Sequence, residues 1–106
     1  MQQQEHIFLP KEKVDEASRI FKALADPTRI KILFLLSQEE CSVNHISEVL
    51  ELSQSAVSHQ LSTLRNLRLV KNRREGITQF YTYSDEHVIT VLNQVLDHIE
   101  CNRGGN

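Results

Sequence analysis

The sequence contains few cysteines and glycines, which excludes several classes of protein. Its 106 residues include two cysteines, three glycines, two prolines and no tryptophan. Cys41 and Cys101 are too few for a disulfide framework, so we expect reduced thiols in a cytoplasmic protein. All three glycines lie at or after Gly76, which excludes a glycine-rich phosphate loop. No apolar run approaches the roughly 20 residues of a membrane span, and the first residues do not resemble a secretory signal.

Length and composition predict one globular domain. The chain is 40% hydrophobic and 25% charged, which is typical of a folded protein rather than a disordered one. We expect residues 1–10 to form a flexible N-terminal arm and residues 11–101 to form the domain. Residues 102–106 contain two glycines and are expected to form a disordered tail.

The net charge of −2 hides an uneven distribution. Between Leu52 and Arg74 the chain has five basic residues and no acidic one. These are Arg65, Arg68, Lys71, Arg73 and Arg74. One basic segment on an otherwise acidic chain is typical of a nucleic-acid-binding surface. A charged, solvated hairpin would show the same distribution.

The spacing of apolar residues predicts five helices. We expect Asp26, Ser42 and Ser53 to cap the second, third and fourth helices. The second helix is apolar on nearly all sides, which favours a central, buried position. The predicted ranges are 11–25, 27 to about 38, 43–50, 54 to about 66, and 84 to about 101. Inward-facing positions are Ile46, Val49 and Leu50 on the third helix and Val57, Leu61 and Leu64 on the fourth. On the last helix, the apolar positions Val88, Leu92, Val95, Leu96 and Ile99 form one stripe.

After Leu67 the pattern changes to that of strands. Residues 69–74 and 77–83 flank Glu75-Gly76, and the second run is rich in β-branched and aromatic residues. This arrangement predicts a β-hairpin whose first strand carries basic residues. Four helices, a hairpin and a last helix predict a mainly α protein with a β-hairpin wing, that is, a winged helix-turn-helix.

The fourth helix is the candidate DNA-reading element. Its first turns place polar side chains on the face opposite Val57 and Leu61, where they can reach phosphates and base edges. These residues are Gln54, Ser55, Ser58, His59 and Gln60. We expect the first four to contact double-stranded operator DNA, and Arg73 and Arg74 on the wing to contact phosphates. The alternative is the polar solvent face of an ordinary amphipathic helix.

Three segments carry a family resemblance: 23–29 (ALADPTR), 53–61 (SQSAVSHQL) and 67–70 (LRLV). In them the chain resembles the ArsR/SmtB family of metal-responsive winged-helix repressors. The resemblance extends over about residues 15–101. It implies a homodimer formed through the N- and C-terminal helices, which binds operator DNA without metal and releases it when metal binds.

The resemblance also implies where metal would bind. One subgroup has a Cys-x-Cys motif in the third helix, but Ser42 and Asn44 occupy those positions here, and Cys41 is one residue out of register. The zinc-sensing subgroup has ligands on the C-terminal helix. Matching positions here hold Asp85, His87, His98 and Cys101. Cys101 replaces a histidine or glutamate of the family pattern, which leaves neighbouring Glu100 as an alternative fourth ligand.

Helix geometry indicates that such a site is shared between subunits. His87 and His98 would lie on one face but roughly 16 Å apart along the axis, too far for one ion with nitrogen ligands at about 2.0–2.1 Å. If two copies of the helix pack antiparallel, Asp85 and His87 of one meet the second histidine and the cysteine of the other. This arrangement gives two sites per dimer, and the apolar stripe between them forms the dimer interface. Carboxylate, imidazole and thiolate ligands favour Zn(II), with Co(II) and Cd(II) as alternatives and Ni(II) ranked lower.

The sequence therefore predicts a zinc-responsive repressor. One alternative is a winged-helix regulator that senses thiol oxidation through Cys41 and Cys101. Another is a metal-stabilised interaction module that does not bind DNA. We expect no enzyme, because the four ligands would leave no open position on the metal. We also expect no small-molecule substrate and no membrane partner.

Overall fold

Five helices and three short strands follow one another along residues 5–104, the part of the chain that the computed structural model describes; side chains are described for residues 5–101. The elements are α1 (Lys11–Leu24), α2 (Pro27–Leu36), β1 (Cys41–Ser42), α3 (Val43–Leu50), α4 (Gln54–Asn66), β2 (Val70–Glu75), β3 (Thr78–Tyr83) and α5 (Glu86–Gly104). Residues 5–10 precede α1 as exposed chain without helix or strand; the rest of the predicted arm, residues 1–4, lies outside the described residues.

The capping residues place the starts of three helices. The side chains of Asp26, Ser42 and Ser53 each accept a hydrogen bond from the backbone N–H three residues later. These bonds satisfy N–H groups that have no partner within the helix. All three predicted caps are confirmed, and the bounds of α3 and α4 agree with those predicted.

The strands form one antiparallel sheet in the order β1-β3-β2. β1 is only two residues long and pairs Cys41 with Tyr81, which no sequence pattern had predicted. The hairpin turn is Gly76-Ile77, one residue later than expected. Gly76 has a φ of 65°, a left-handed conformation that glycine adopts without steric cost.

The core is built around α2 and α4. Four residues of α2 are buried, which confirms the predicted central position of this helix. The predicted inward positions of α4 are all fully buried. These core residues are Ile32, Leu33, Leu35 and Leu36 on α2, and Val57, Leu61 and Leu64 on α4. On α3, Ile46 is fully buried but Val49 is 48% exposed, so the expectation for Val49 is wrong.

The apolar stripe of α5 consists of two adjacent rows that differ in burial. Val88, Leu92 and Leu96 pack against the core. Val91, Val95 and Ile99 form the neighbouring row and are 41%, 52% and 46% exposed. Residues four apart follow one row along a helix, so one row packs on the core while the adjacent row stays exposed.

α5 ends at Gly104, three residues beyond the expected end near Cys101. The predicted tail is therefore helical over residues 102–104, and residues 105–106 lie outside the described part of the chain. No helix among residues 5–104 has the length and apolar character required to cross a membrane.

The arrangement confirms the predicted winged helix-turn-helix. α3 and α4 pack against each other, and the turn between them contains Glu51 in a left-handed conformation with φ 56°. The β2-β3 hairpin follows α4 directly and forms the wing.

Candidate nucleic-acid interface and metal centres

The first turns of α4 present a polar surface. Gln54, Ser55, Ser58 and His59 are all exposed, while Val57 on the opposite face is fully buried. The burial of the apolar face fixes the direction in which the polar side chains project. The structure thus exposes all four predicted reading residues on one surface.

Gln60 has a different environment from these four residues. Its side-chain carbonyl accepts a hydrogen bond of 2.7 Å from Nε of Arg29 on α2. Gln60 is partly buried, and the bond joins α4 to the central helix α2. We conclude that Gln60 positions α4 and does not belong to the open polar surface.

A cleft separates the polar surface of α4 from the wing. It is lined by residues from the start of α3, from α4 and from the hairpin, and most of these residues are polar. Among them, the amide of Gln54 donates to the side-chain carbonyl of Asn44, which joins the starts of α3 and α4. At the other end of α4, Arg65 donates to Asn72 at 3.4 Å, and Asn72 donates to Gln79 across the hairpin. The bond from Arg65 joins α4 to the wing, and the bond from Asn72 joins the two strands of the wing.

The two wing arginines have different surroundings. Arg73 donates to both carboxylate oxygens of Glu40, at 2.9 and 2.8 Å, and to Glu75 at 3.0 Å. Its guanidinium also lies 4.9 Å from the centroid of the Phe80 ring. The hydrogen bond from Arg73 lowers the pKa of Glu40, and the two carboxylates raise the pKa of Arg73. Arg74 is exposed and makes no ion pair with any residue that the structure describes.

The start of α5 brings two of the predicted metal ligands together. Asp85 accepts the backbone N–H of His87 at 2.9 Å, and the same oxygen lies 3.1 Å from Nδ1 of His87. The two side chains are 56% and 96% exposed. In a tetrahedral zinc site, nitrogen and oxygen ligands lie about 3.3 Å apart, from metal distances near 2.0–2.1 Å. The spacing and exposure of Asp85 and His87 therefore fit a half-site open to an ion.

The other two predicted ligands lie near the far end of α5. His98 and Cys101 are exposed on a helix that runs without interruption from Glu86 to Gly104. Eleven residues of helix separate His98 from His87, which corresponds to roughly 16 Å. One protomer thus holds the four predicted ligands as two separate pairs and cannot bring all four to one ion.

A third group of ligand-type residues was not predicted from the sequence. The ligand atoms of Glu39, Cys41 and His45 all lie within 4.8 Å of one another, the one such trio found within the described part of the chain. Nε2 of His45 is 3.5 Å from the Glu39 carboxylate, and the Cys41 thiol donates to the Glu39 backbone carbonyl at 3.5 Å. The sequence feature that could have identified this group is the spacing Glu-x-Cys-x-x-x-His, which lies where β1 leads into α3.

The chemistry of Cys41 follows from this environment. Burial, then the negative charges of Glu39 and Glu40, raise the pKa of its thiol to about 11. The side chain is 1% exposed. Cys41 is therefore a protonated, shielded thiol near neutral pH, whereas Cys101 is exposed.

Comparisons with known proteins agree with the fold and the segments quoted above. Residues 26–72 match the family described as bacterial regulatory protein, arsR family. The chain is 38% identical over 89 residues to a transcriptional repressor SmtB homolog from Synechocystis, covering 84% of this chain and 67% of that protein. It is 37% identical over 91 residues to a cadmium resistance transcriptional regulatory protein CadC homolog from Staphylococcus aureus, covering 85% and 75%.

A solved structure is similar over nearly the whole domain. It is a homodimeric winged helix-turn-helix DNA-binding domain from Mycobacterium bovis, with a TM-score of 0.83 and 30% sequence identity. The alignment covers 90% of this chain and 88% of that one. Fold, matched residues and relatives together show that this chain belongs to the ArsR/SmtB family of bacterial DNA-binding transcriptional regulators.

Proposed function

We propose that the protein is a zinc-responsive transcriptional repressor that binds operator DNA without metal and dissociates when Zn²⁺ binds. The observation that carries the proposal is the Asp85-His87 half-site at the start of α5 together with His98 and Cys101 near its end. Relatives named SmtB homolog and cadmium resistance regulator CadC homolog support metal as the signal. Co²⁺ and Cd²⁺ are the alternative ions, because they accept the same ligand types.

The exposed row on α5 supports a homodimer. Val91, Val95 and Ile99 form an apolar strip that continues onto Phe21 of α1, which is 64% exposed. A groove between α1, α2 and α5 runs beside this strip. An exposed apolar surface of this kind is typical of a protein-protein interface. A twofold axis at α5 would cover the strip and bring each half-site opposite the complementary half-site of the partner.

The four ligands suit Zn²⁺ as a regulatory ligand, two ions per dimer. Asp85 and His87 of one protomer would supply an oxygen and a nitrogen, and the partner's His98 and Cys101 would supply a nitrogen and a sulfur. When bound, the ion would hold the two α5 helices at a set distance and register. With all four tetrahedral positions filled by protein, no position remains for a substrate.

Release of DNA requires that the ion favour the conformation that does not bind DNA. The family resemblance implies a route, in which the second ring nitrogen of His98 bonds a backbone carbonyl near Arg68. Arg68 lies between α4 and β2 and has a left-handed φ of 62°. Such a bond would join α5 to the DNA-reading unit and restrict the spacing of the two reading helices. A coupling of roughly 1–3 kcal/mol, or about 5–150-fold in DNA affinity, is typical of allosteric proteins.

On DNA, α4 would enter the major groove with Gln54, Ser55, Ser58 and His59, while the wing contacts phosphates. Of the two predicted wing contacts, Arg74 has a side chain without an ion pair among the described residues, whereas Arg73 would have to leave Glu40 and Glu75. We therefore assign the larger phosphate contribution to Arg74 and a supporting contribution to Arg73.

The test is a titration of operator-bound protein with Zn²⁺, Co²⁺, Cd²⁺ and Ni²⁺, followed by fluorescence anisotropy. Wild-type protein should release DNA with Zn²⁺ at two ions per dimer, and the variant His98→Ala should remain bound. Metal-free affinity of the variant should match wild type, because α5 is remote from the reading surface. Release of His98→Ala by Zn²⁺ at the wild-type concentration would contradict the proposal.

A further inference from the structure

The cluster of Glu39, Cys41 and His45 lies outside the proposed α5 sites and has its own ligand chemistry. We propose that these three side chains form a second metal site, contained within one protomer, for a thiophilic divalent cation such as Zn²⁺ or Cd²⁺. It would take the ion without help from a partner, in contrast to the shared sites on α5.

The geometry is close to that of a tetrahedral site. The Glu39 carboxylate and Nε2 of His45 are 3.5 Å apart, near the roughly 3.3 Å between oxygen and nitrogen ligands of Zn²⁺. The Cys41 sulfur completes the trio within 4.8 Å. A thiolate lies about 3.5 Å from a nitrogen ligand of the same ion, from metal distances of about 2.3 and 2.0–2.1 Å. Closing the cluster around an ion therefore needs a movement on the order of 1 Å.

The fold holds two of the three ligands in place. Cys41 is paired with Tyr81 in the sheet, and the backbone N–H of His45 is held by the Ser42 cap. The side chains of Glu39 and His45 are 54% and 44% exposed, so an ion can reach the cluster from solvent on their side. The buried sulfur forms the inner wall, and water would fill the fourth position.

The charge of Glu39 favours a cation at the cluster. Its carboxylate lies among the ligand atoms and attracts a divalent ion, and a bound ion stabilises the thiolate that it binds. Binding is a ligand exchange in which the Cys41 S–H bond breaks, the proton passes to solvent, and a sulfur-metal bond forms without any change of oxidation state.

The test measures Co²⁺ binding by absorption spectroscopy in the double variant His98→Ala/Cys101→Ser, which lacks two ligands of the α5 site. We expect one Co²⁺ per protomer and a thiolate-to-cobalt charge-transfer band. Adding Cys41→Ser should remove the band. In the same background, Glu39→Gln or His45→Gln should weaken Co²⁺ binding by about tenfold or more. The matched controls Glu48→Gln and His6→Gln should leave the affinity unchanged.

Absence of the charge-transfer band from the double variant, or unchanged Co²⁺ affinity after both Glu39→Gln and His45→Gln, would overturn the proposal. Replacing the buried Cys41 can disturb folding, so the variants of the half-exposed ligands Glu39 and His45 provide the folding control. Metal-free Glu39→Gln and His45→Gln should unfold near the temperature of the double variant and lose the rise in that temperature produced by Zn²⁺. In the single variant Cys41→Ser, any remaining charge-transfer band comes from Cys101. The experiment therefore tests the Cys41 site and the α5 site separately.

Discussion

Arg73 on β2 holds the carboxylate of Glu40 through two hydrogen bonds, at 2.9 and 2.8 Å, across 33 positions of sequence. Glu40 immediately precedes β1, so this pair joins the wing to the segment that leads into α3. The Arg73 guanidinium, which the sequence predicts to contact DNA phosphates, is therefore already engaged in an ion pair within the protein. Arg73 and Arg74 are adjacent and look equivalent in the sequence, but within the described part of the chain only Arg73 is ion-paired.

The first prediction concerns these two arginines. Arg74→Ala should weaken binding to all duplexes alike and reduce the slope of log affinity against log salt by about 1 for each phosphate that the arginine had neutralised. Arg73→Ala should change the slope less, because its charge is already paired. Measuring affinity at several salt concentrations checks both variants. An unchanged slope when both arginines are replaced would exclude a phosphate contact by the wing.

The second prediction concerns the fourth ligand on α5. In a Cys41→Ser background, Co²⁺-loaded protein should show a thiolate charge-transfer band that disappears with Cys101→Ser. Glu100→Gln is the matched control and should leave the band and the affinity unchanged. If the band is missing while Glu100→Gln weakens binding, Glu100 is the ligand and Cys101 is not.

The third prediction concerns the dimer. Val95→Glu should shift the protein toward monomers, because it places a charge in an apolar interface where it would be desolvated without a partner. Val49→Glu is a matched control, since Val49 is 48% exposed and Val95 is 52% exposed. Sedimentation velocity at several concentrations measures the change. Equal association of the two variants would argue against α5 as the seam.

The fourth prediction concerns the thiols in metal-free protein. Iodoacetamide should modify Cys101 rapidly and Cys41 slowly near neutral pH, because only the thiolate reacts and the pKa of Cys41 is raised to about 11. The rate at Cys41 should increase as pH rises toward that value. Peptide mass spectrometry distinguishes the two residues. Comparable rates at pH 7 would restore Cys41 as a candidate oxidation sensor.

The sequence alone determined the local structure. Apolar spacing and the caps Asp26, Ser42 and Ser53 are local signals, so they located α2, α3 and α4 and the winged helix-turn-helix order. The family motifs also predicted two pairs of metal ligands, one at the start and one near the end of the long helix α5. These properties depend on residues within a few positions of one another, which a single sequence displays directly.

Only the tertiary structure decided how distant residues combine. Packing on α2 buried one apolar row of α5 and left Val91, Val95 and Ile99 exposed. Pairing with β3 created the two-residue β1, which is too short to show a period of its own. Folding also placed Glu40 against Arg73, and it gathered Glu39, Cys41 and His45 at one strand-helix junction. Such contacts depend on the relative positions of whole elements, and hydrophobic spacing within an element does not specify them.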